Sequence, residues 1–157
     1  MKLDRYDRAL VRALQINGRA TNGELAQRVG LSESACLRRV RALEEAGLIE
    51  GYTALLNQEK AGCPINVFVK ITLDRQEQGH LKAFETAVRK VPEIMECYLM
   101  SGEYDYLLRV ALVDMGDFER VHAQHLTQLP NVARVQSSIA LRTVQKSRQL
   151  PLPSIGD

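Results

Sequence analysis

Hydrophobic residues recur at helical spacing through the first third of the chain. Between Asp4, which can cap a helix, and the stop signal Asn17-Gly18, the apolar positions form one stripe. Its members are Leu10, Val11, Leu14 and Ile16. The pattern predicts a first helix from about Asp4 to Asn17. Two further apolar stripes follow before Gly47, so we predict three helices in the N-terminal part of the chain.

Residues 21–47 predict two short helices joined by a tight turn. Thr21 and Glu24 form a capping-box pattern at the start of the first. Gly30 ends that helix, because the residue after a helix often needs a positive φ. Ser32 can cap the second helix, whose apolar residues recur at spacings of four and three, namely Cys36, Val40 and Leu43. This arrangement is typical of a helix-turn-helix.

The polar face of the second of these helices suits DNA. Ser34, Arg38 and Arg41 recur on it, with Arg39 beside them. Small residues allow close approach to the major groove, and arginine can bond guanine edges or phosphates. Residues 28–41 hold four arginines and one glutamate, although the whole chain carries a net charge of only +2. A solvated basic face is the alternative; we predict that these four side chains contact DNA.

Residues 48–56, LIEGYTALL, change to β-branched and aromatic residues interrupted by glycine. This composition predicts a short hairpin or an extended segment. In a winged helix-turn-helix it would lie near the DNA backbone; tying the bundle to the next domain is the alternative. Residues 57–64, NQEKAGCP, are polar and contain Gly and Pro, which predicts a linker. We therefore expect a DNA-binding domain over residues 1–56.

The second half predicts the order strand, helix, strand, strand, helix, strand. Alternating apolar residues indicate the strands and helical spacing the helices, in the ranges 65–74, 76–91, 94–101, 105–113, 115–129 and 135–142. This order is the βαββαβ unit of the ferredoxin-like fold. The predicted fold class is α+β, with a ferredoxin-like domain over residues 65–144 and an irregular tail over 145–157.

Two of the predicted strands are apolar on both faces. In the third strand, Tyr106 and Leu108 alternate with Leu107 and Ala111. The second strand is similar, with Met95, Cys97 and Leu99 opposite Ile94, Tyr98 and Met100. Two helices cover one face of an open sheet, so self-association through the other is expected. A two-fold dimer would present two recognition helices to two DNA half-sites.

Composition argues against other classes. No apolar run approaches the roughly 20 residues of a membrane helix, and the charged N-terminus lacks a signal-peptide block. We expect a cytoplasmic protein without membrane contact. Three scattered cysteines predict free thiols, not disulfides or a zinc site. His122 and His125 lack further ligands, and no phosphate loop or catalytic triad is present, so we expect no metal, cofactor or enzymatic activity.

Three blocks of sequence resemble the leucine-responsive/AsnC (feast or famine) family of prokaryotic transcription regulators. They are LDRYDRALVRALQINGRATNGELAQRVGLS, CLRRVRALEEAGLIEGYTALLN and ECYLMSGEYDYLLRV. The resemblance runs from Leu3 to about Val144. It implies a winged helix-turn-helix followed by an amino-acid-responsive ferredoxin-like domain. It also implies homodimers through the sheet, often assembled into octamers, with an apolar amino acid such as leucine or methionine bound between dimers.

The resemblance also implies an effector site. The family's Gly-x-x-Asp-Tyr signature matches Gly102, Asp105 and Tyr106, between the second and third strands. Gly102 would leave backbone amides accessible to a ligand carboxylate, and Asp105 can face an α-ammonium group. A plain hairpin turn, with Asp105 satisfying local amides, is the alternative. The other residues expected around the ligand are Met100, Ser101, Tyr104, Gln136, Ser137 and Ser138.

The leading prediction is a regulator that binds double-stranded operator DNA and whose binding or assembly responds to an amino acid. An oligomeric small-molecule-binding module whose N-terminal bundle contacts another protein is the alternative. Salt-sensitive binding to duplex DNA would separate the two, because neutralising phosphates releases counterions.

Overall fold

The structure is a computed structural model that describes residues 2–152. It contains three helices, followed by a four-stranded sheet with two further helices. The first structural unit comprises the chain up to Leu55 together with the segment from Val144, and the second comprises Leu56–Thr143. The chain therefore returns to its first unit after completing the second. Within the described residues, every helix is too short or too polar to cross a bilayer.

The helices of the first unit are α1 (Arg5–Ile16), α2 (Asn22–Val29) and α3 (Glu33–Glu45). The predicted capping box of Thr21 and Glu24 forms, and the predicted cap Asp4 forms a second one with Asp7. Asp4 and Thr21 each accept a backbone N–H from the third residue of the helix that follows. Gly30 ends α2 in the left-handed conformation, with φ at 72°. One buried apolar cluster joins the helices, made of Leu10, Val11, Ala13, Leu25, Ala26, Cys36, Val40 and Leu43.

Residues 48–56 form no hydrogen-bonded strand, so the predicted hairpin is absent: Leu48 and Ile49 lie in a bend, and residues 50–56 are irregular. The amides of Leu48 and Ile49 both donate to the carbonyl of Leu43, at 3.1 and 3.3 Å. They close the end of α3 and cannot start a β-ladder. Further along, the Tyr52 hydroxyl donates to Oε1 of Glu44 at 2.8 Å. The segment is thus attached to α3 by side-chain and capping bonds instead of by strand pairing.

The second unit is an antiparallel sheet in the order β2-β3-β1-β4 with two helices on one face. This confirms the predicted α+β, ferredoxin-like arrangement. Its strands are β1 (Ile65–Leu73), β2 (Ile94–Leu99), β3 (Tyr106–Leu112) and β4 (Val132–Ile139). Its helices are α4 (Gln78–Val88) and α5 (Met115–Gln124), and a 3-10 turn, Leu126–Gln128, follows α5.

Two predicted element boundaries were wrong. The predicted helix over 115–129 is interrupted at His125, whose φ and ψ of −121° and −63° are not helical. The last strand was expected to start at Val135, but it begins at Val132, which pairs with Leu73 across a register shift in β1. Both features depend on contacts distant in sequence, so local periodicity did not reveal them.

The expected alternation of β2 was also wrong. Ile94 pairs opposite Val110 but Glu96 pairs opposite Arg109, so Met95 is the extra residue of a β-bulge. The bulge brings Ile94 and Cys97 to the same, helix-covered face, where both pack against the core. Burial in this position raises the pKa of the Cys97 thiol to about 11. This thiol is therefore a packing group and not a reactive one.

Candidate DNA interface and effector site

One face of α3 carries the residues that are predicted to contact DNA. Ser32 caps the helix, its Oγ accepting from the Ala35 N–H at 3.3 Å. Ser34, Arg38 and Arg41 are all exposed. Within residues 2–152, the guanidinium groups of Arg38 and Arg41 have no hydrogen-bond or ion-pair partner. Both cations are therefore available to a phosphate or a base edge.

Arg39 lies between these arginines in sequence but has a different environment. Its guanidinium donates to Oδ1 of Asp7 at 2.7 Å and pairs with Oδ2 of Asp4 at 2.8 Å. It also lies 5.4 Å from the ring centre of Tyr6. The hydrogen bond to Asp7 is the main reason why the pKa of Arg39 is raised above its ordinary value. Arg39 thus ties α3 to the start of α1 and is not presented with its neighbours.

Two residues of the Gly-x-x-Asp-Tyr signature are built into the sheet. Asp105 is 7% exposed, and its carboxylate accepts from the Leu73 N–H and the Gln76 amide, both at 2.7 Å. Both donors are distant in sequence, so Asp105 does not satisfy local amides of the turn. Tyr106 is buried, and its hydroxyl donates to Oε1 of Glu85 at 2.9 Å. Burial, with a smaller contribution from Glu85, raises the pKa of Tyr106.

The third signature residue, Gly102, has a φ of 129° and open space where a Cβ would stand. A side chain there would be strained by the backbone conformation, not by a clash. The turn that Gly102 forms carries Glu103 and Tyr104 to the face of the sheet opposite α4 and α5, which we call the open face. The conformational need for glycine therefore positions the two residues that follow it.

A small polar pocket of about 90 Å³ lies on the open face beside this turn. It is lined by Lys70, Thr72, Glu103, Tyr104, Arg134 and Gln136. The Lys70 ammonium lies 5.0 Å from the ring centre of Tyr104. The cross-strand pairs Lys70–Gln136 and Thr72–Arg134 build its floor. Two cations and one carboxylate converge here, a combination that complements a zwitterion.

The remaining predicted effector residues are divided between the two faces. Ser138 shares the open face with Gln136, because alternate residues of a strand point the same way. Ser137 points to the covered face, where its hydroxyl is buried without a partner among the described residues. Met100 donates its N–H to the Asp105 carbonyl at 2.8 Å, and Ser101 is exposed in the turn. Tyr104 and Gln136 are thus the predicted residues that the pocket brings together.

Comparison with known families accounts for both units. Residues 3–50 match the winged helix-turn-helix DNA-binding family, and residues 66–150 match the Lrp/AsnC ligand binding domain. The chain belongs to the Lrp/AsnC family. It is accordingly a DNA-binding transcriptional regulator.

Individual Lrp/AsnC proteins match over almost the full length. The leucine-responsive regulatory protein of Escherichia coli K12 is 44% identical over 148 residues, which are 94% of this chain and 90% of that protein. A Neisseria meningitidis regulator crystallised with L-methionine is 37% identical with a TM-score of 0.90, covering 96% of this chain and 97% of that one. The Mycobacterium tuberculosis feast or famine regulatory protein, complexed with L-methionine, is 38% identical with a TM-score of 0.86, covering 95% and 99%.

Sequence reasoning missed four residues of this Lrp/AsnC chain's polar pocket: Lys70, Thr72, Glu103 and Arg134. The available signal was a lysine and a threonine on the polar side of an otherwise apolar central strand. The β1–β4 register that pairs them with Arg134 and Gln136 was not visible in the sequence. Asp4 and Asp7 were also missed as partners of Arg39, since they lie on a different helix.

Proposed function

We propose that this Lrp/AsnC regulator contacts operator DNA through Ser34, Arg38 and Arg41, with Arg39 acting as a structural tie. The observation that carries the assignment is the contrast within α3: Arg38 and Arg41 are exposed and unpaired in the described chain, whereas Arg39 is held by two carboxylates. A helix with small residues at its start and free guanidinium groups along one face suits the major groove.

The test of the DNA face uses a duplex recovered by in vitro selection with the purified full chain. Binding is measured by fluorescence anisotropy over a salt series for the parent, Arg38→Ala and Arg41→Ala. Removing a bond to phosphate should reduce the slope of log affinity against log salt concentration by about one. Removing a bond to a base should relax the sequence selectivity at one position of the duplex. Arg89→Ala, an exposed arginine on the second unit, is the matched control. Parental affinity in both α3 variants would refute the assignment.

We further propose that an amino acid is the effector and that the polar pocket holds its charged end. Lys70 and Arg134 suit the α-carboxylate, and Glu103 suits the α-ammonium group. The two relatives crystallised with L-methionine support this ligand class. The pocket's volume of about 90 Å³ is far below the roughly 300–1,000 Å³ of a typical ligand site. The rest of an apolar amino acid such as leucine or methionine is therefore expected to lie against a second copy of the chain.

This proposal modifies the set of effector residues. Tyr104 and Gln136 remain, with Ser101, Gly102 and Ser138 on the same turn or face, and Met100 as a neighbour. Asp105, Tyr106 and Ser137 act as framework instead. A thermal-shift screen against the twenty amino acids, followed by calorimetric titration of any hit, tests the class. Lys70→Ala and Arg134→Ala should weaken binding, whereas Lys82→Ala, an exposed lysine on α4, should not. An amino acid that binds both pocket variants with the parental affinity would refute the site.

We also propose that the open face forms a homodimer, which then assembles further, up to an octamer. Phe68, Tyr98, Leu107 and Ala111 supply apolar surface there, and Phe68 and Tyr98 remain 39% and 52% exposed. Near them, Arg109 donates to Glu96 at 2.7 Å and to Asn66 at 3.0 Å. The arginine already has partners on its own sheet, so burying it against a second copy leaves no unpaired charge.

A further inference from the structure

The C-terminal segment 148–152 lies against α1, although Gln15 and Leu150 are 135 residues apart in sequence. The Leu150 N–H donates to Oε1 of Gln15 at 2.5 Å, and the Gln15 amide donates back to the Leu150 carbonyl at 3.4 Å. One side chain thereby satisfies both backbone groups of a residue, as a neighbouring strand would. Leu152 packs against the buried cluster of the helical bundle.

The tail and the irregular segment that follows α3 line one groove. The groove has a volume of about 450 Å³. Its walls are residues of α1, residues 48–52 and the tail, namely Val11, Leu14, Gln15, Leu48, Ile49, Glu50, Gly51, Tyr52, Arg148, Leu150 and Leu152. Residues 48–52 have no strand partner. On one side they are held by the bond between Tyr52 and Glu44, and on the other they face the tail.

We propose that residues 148–152 are a working part of the DNA-binding unit, docked against α1 as one wall of this groove to hold residues 48–52 against the bundle. The segment that supplies this wall of the groove is the tail of the same chain. The functional half of this inference rests on the proposed DNA contact by α3; the docking itself does not.

The link from the tail to DNA binding runs through the end of α3. Leu48 and Ile49 close that helix by donating to the Leu43 carbonyl, and Tyr52 fixes Glu44. A helix end whose last carbonyls lose their capping partners frays within its final turn. Arg41 immediately precedes that final turn, which begins at the next residue. Loosening residues 48–52 therefore loosens the support of a DNA-contacting side chain without touching it.

The first measurement is hydrogen exchange by mass spectrometry on the full chain. In the parent, amides in 48–52 and 148–152 should both be protected, because exchange reports local opening. Gln15→Ala and Leu152→Asp should each speed exchange in both segments by about tenfold. Leu141→Asp, at a leucine that is 98% exposed, is the matched control and should change neither. Tail amides exchanging in the parent at the rate of an unfolded peptide would overturn the docking.

The second measurement is DNA affinity of the same variants. Leu152→Asp should bind the selected duplex about fivefold more weakly, which corresponds to about 1 kcal/mol. Arg38→Ala should weaken DNA binding yet leave exchange unchanged. Faster exchange with parental DNA affinity in Leu152→Asp would overturn the functional half. A parent chain that binds no duplex would instead overturn the proposed function, while exchange still decides the docking.

Complementation tests whether the tail docks within its own chain. Gln15→Ala keeps an intact tail and Leu152→Asp keeps an intact groove. If tails docked between copies, a refolded mixture of the two variants would recover protection in 48–52 for part of the molecules. We expect the amides of 48–52 in the mixture to exchange as they do in the two variants measured separately. Recovered protection would overturn the same-chain assignment.

Discussion

Arg39 and Asp7 are joined by a hydrogen bond of 2.7 Å between α3 and α1, and this bond holds Arg39 away from the proposed DNA face. Asp7 also donates its N–H to the cap residue Asp4 and receives the Asp4 N–H on its own carboxylate. The pair therefore combines a helix cap with a contact between helices. Consecutive arginines of α3 consequently have different roles.

Arg39→Ala should lower the free energy of unfolding by about 1–2 kcal/mol, because two carboxylates lose a charged partner that is mostly buried. Arg38→Ala should stay within about 0.5 kcal/mol of the parent, as exposed substitutions usually do. Urea denaturation of both variants measures the difference. Equal stability in the two would contradict the structural role of Arg39.

Acid should weaken the bundle through Asp4. The Asp7 N–H, with a smaller contribution from Arg39, holds the pKa of Asp4 below its ordinary value. The stabilisation is therefore present above the ordinary pKa of about 3.9 and is lost as pH falls through the lower, folded value. Its size should stay below about 1 kcal/mol, since about half of the side chain is in water.

Asp4→Asn isolates this carboxylate, because asparagine still caps a helix but carries no charge. The parent should exceed Asp4→Asn in unfolding free energy at neutral pH, and the gap should close between about pH 4 and the folded pKa. Urea curves over a pH series measure it. A gap that does not narrow as the pH falls below about 3.9 would show that the charge is not its cause.

Asp105 should be needed for folding more than for ligand contact. Asp105→Ala leaves the Leu73 N–H and the Gln76 amide without an acceptor, which should cost about 2–4 kcal/mol. Asp105→Asn should cost less, because its oxygen still accepts from Leu73 and the Gln76 amide can turn over. Denaturation and calorimetric titration with the effector are measured together. A stable Asp105→Asn protein that no longer binds the effector would restore Asp105 to the ligand site.

Phe68→Glu should dissociate the proposed dimer, because it places a charge in the centre of the open face. Val144→Glu, at a valine that is 86% exposed and outside the sheet, is the control. Sedimentation velocity at matched concentrations measures the assembly state, and circular dichroism checks the fold. A Phe68→Glu protein that sediments as the parent does would place the dimer contact elsewhere.

The features predicted correctly from sequence are those that depend on local signals. Asp4, Thr21 and Gly30 mark helix ends through bonds to residues within five positions, so their pattern is readable along the chain. The order of strands and helices is equally local. Nothing in the sequence alone distinguished Arg39 from Arg38, because the acid that selects between them lies 32 residues away.

The polar pocket and the bulge were not predictable for the same reason. Lys70 and Gln136 meet because β1 and β4 pair in one particular register. A shift of one residue would send every side chain to the opposite face. Met95 shows how a single inserted residue changes which positions are covered. Tyr104 and Gln136 were expected from the family resemblance, whereas the two β1 residues of the pocket, Lys70 and Thr72, depend on the strand register.

The bond between Gln15 and Leu150 has a consequence for the newly made chain. Translation proceeds at about 5–20 residues per second, so roughly 7–27 s separate the synthesis of these two residues. The three helices and the whole sheet unit emerge from the ribosome before the tail does. A nascent or prematurely terminated chain thus holds a folded bundle whose groove lacks the wall that the tail supplies. Docking of the tail would mark the moment at which the regulator becomes competent, and incomplete products would be poor competitors for its operators.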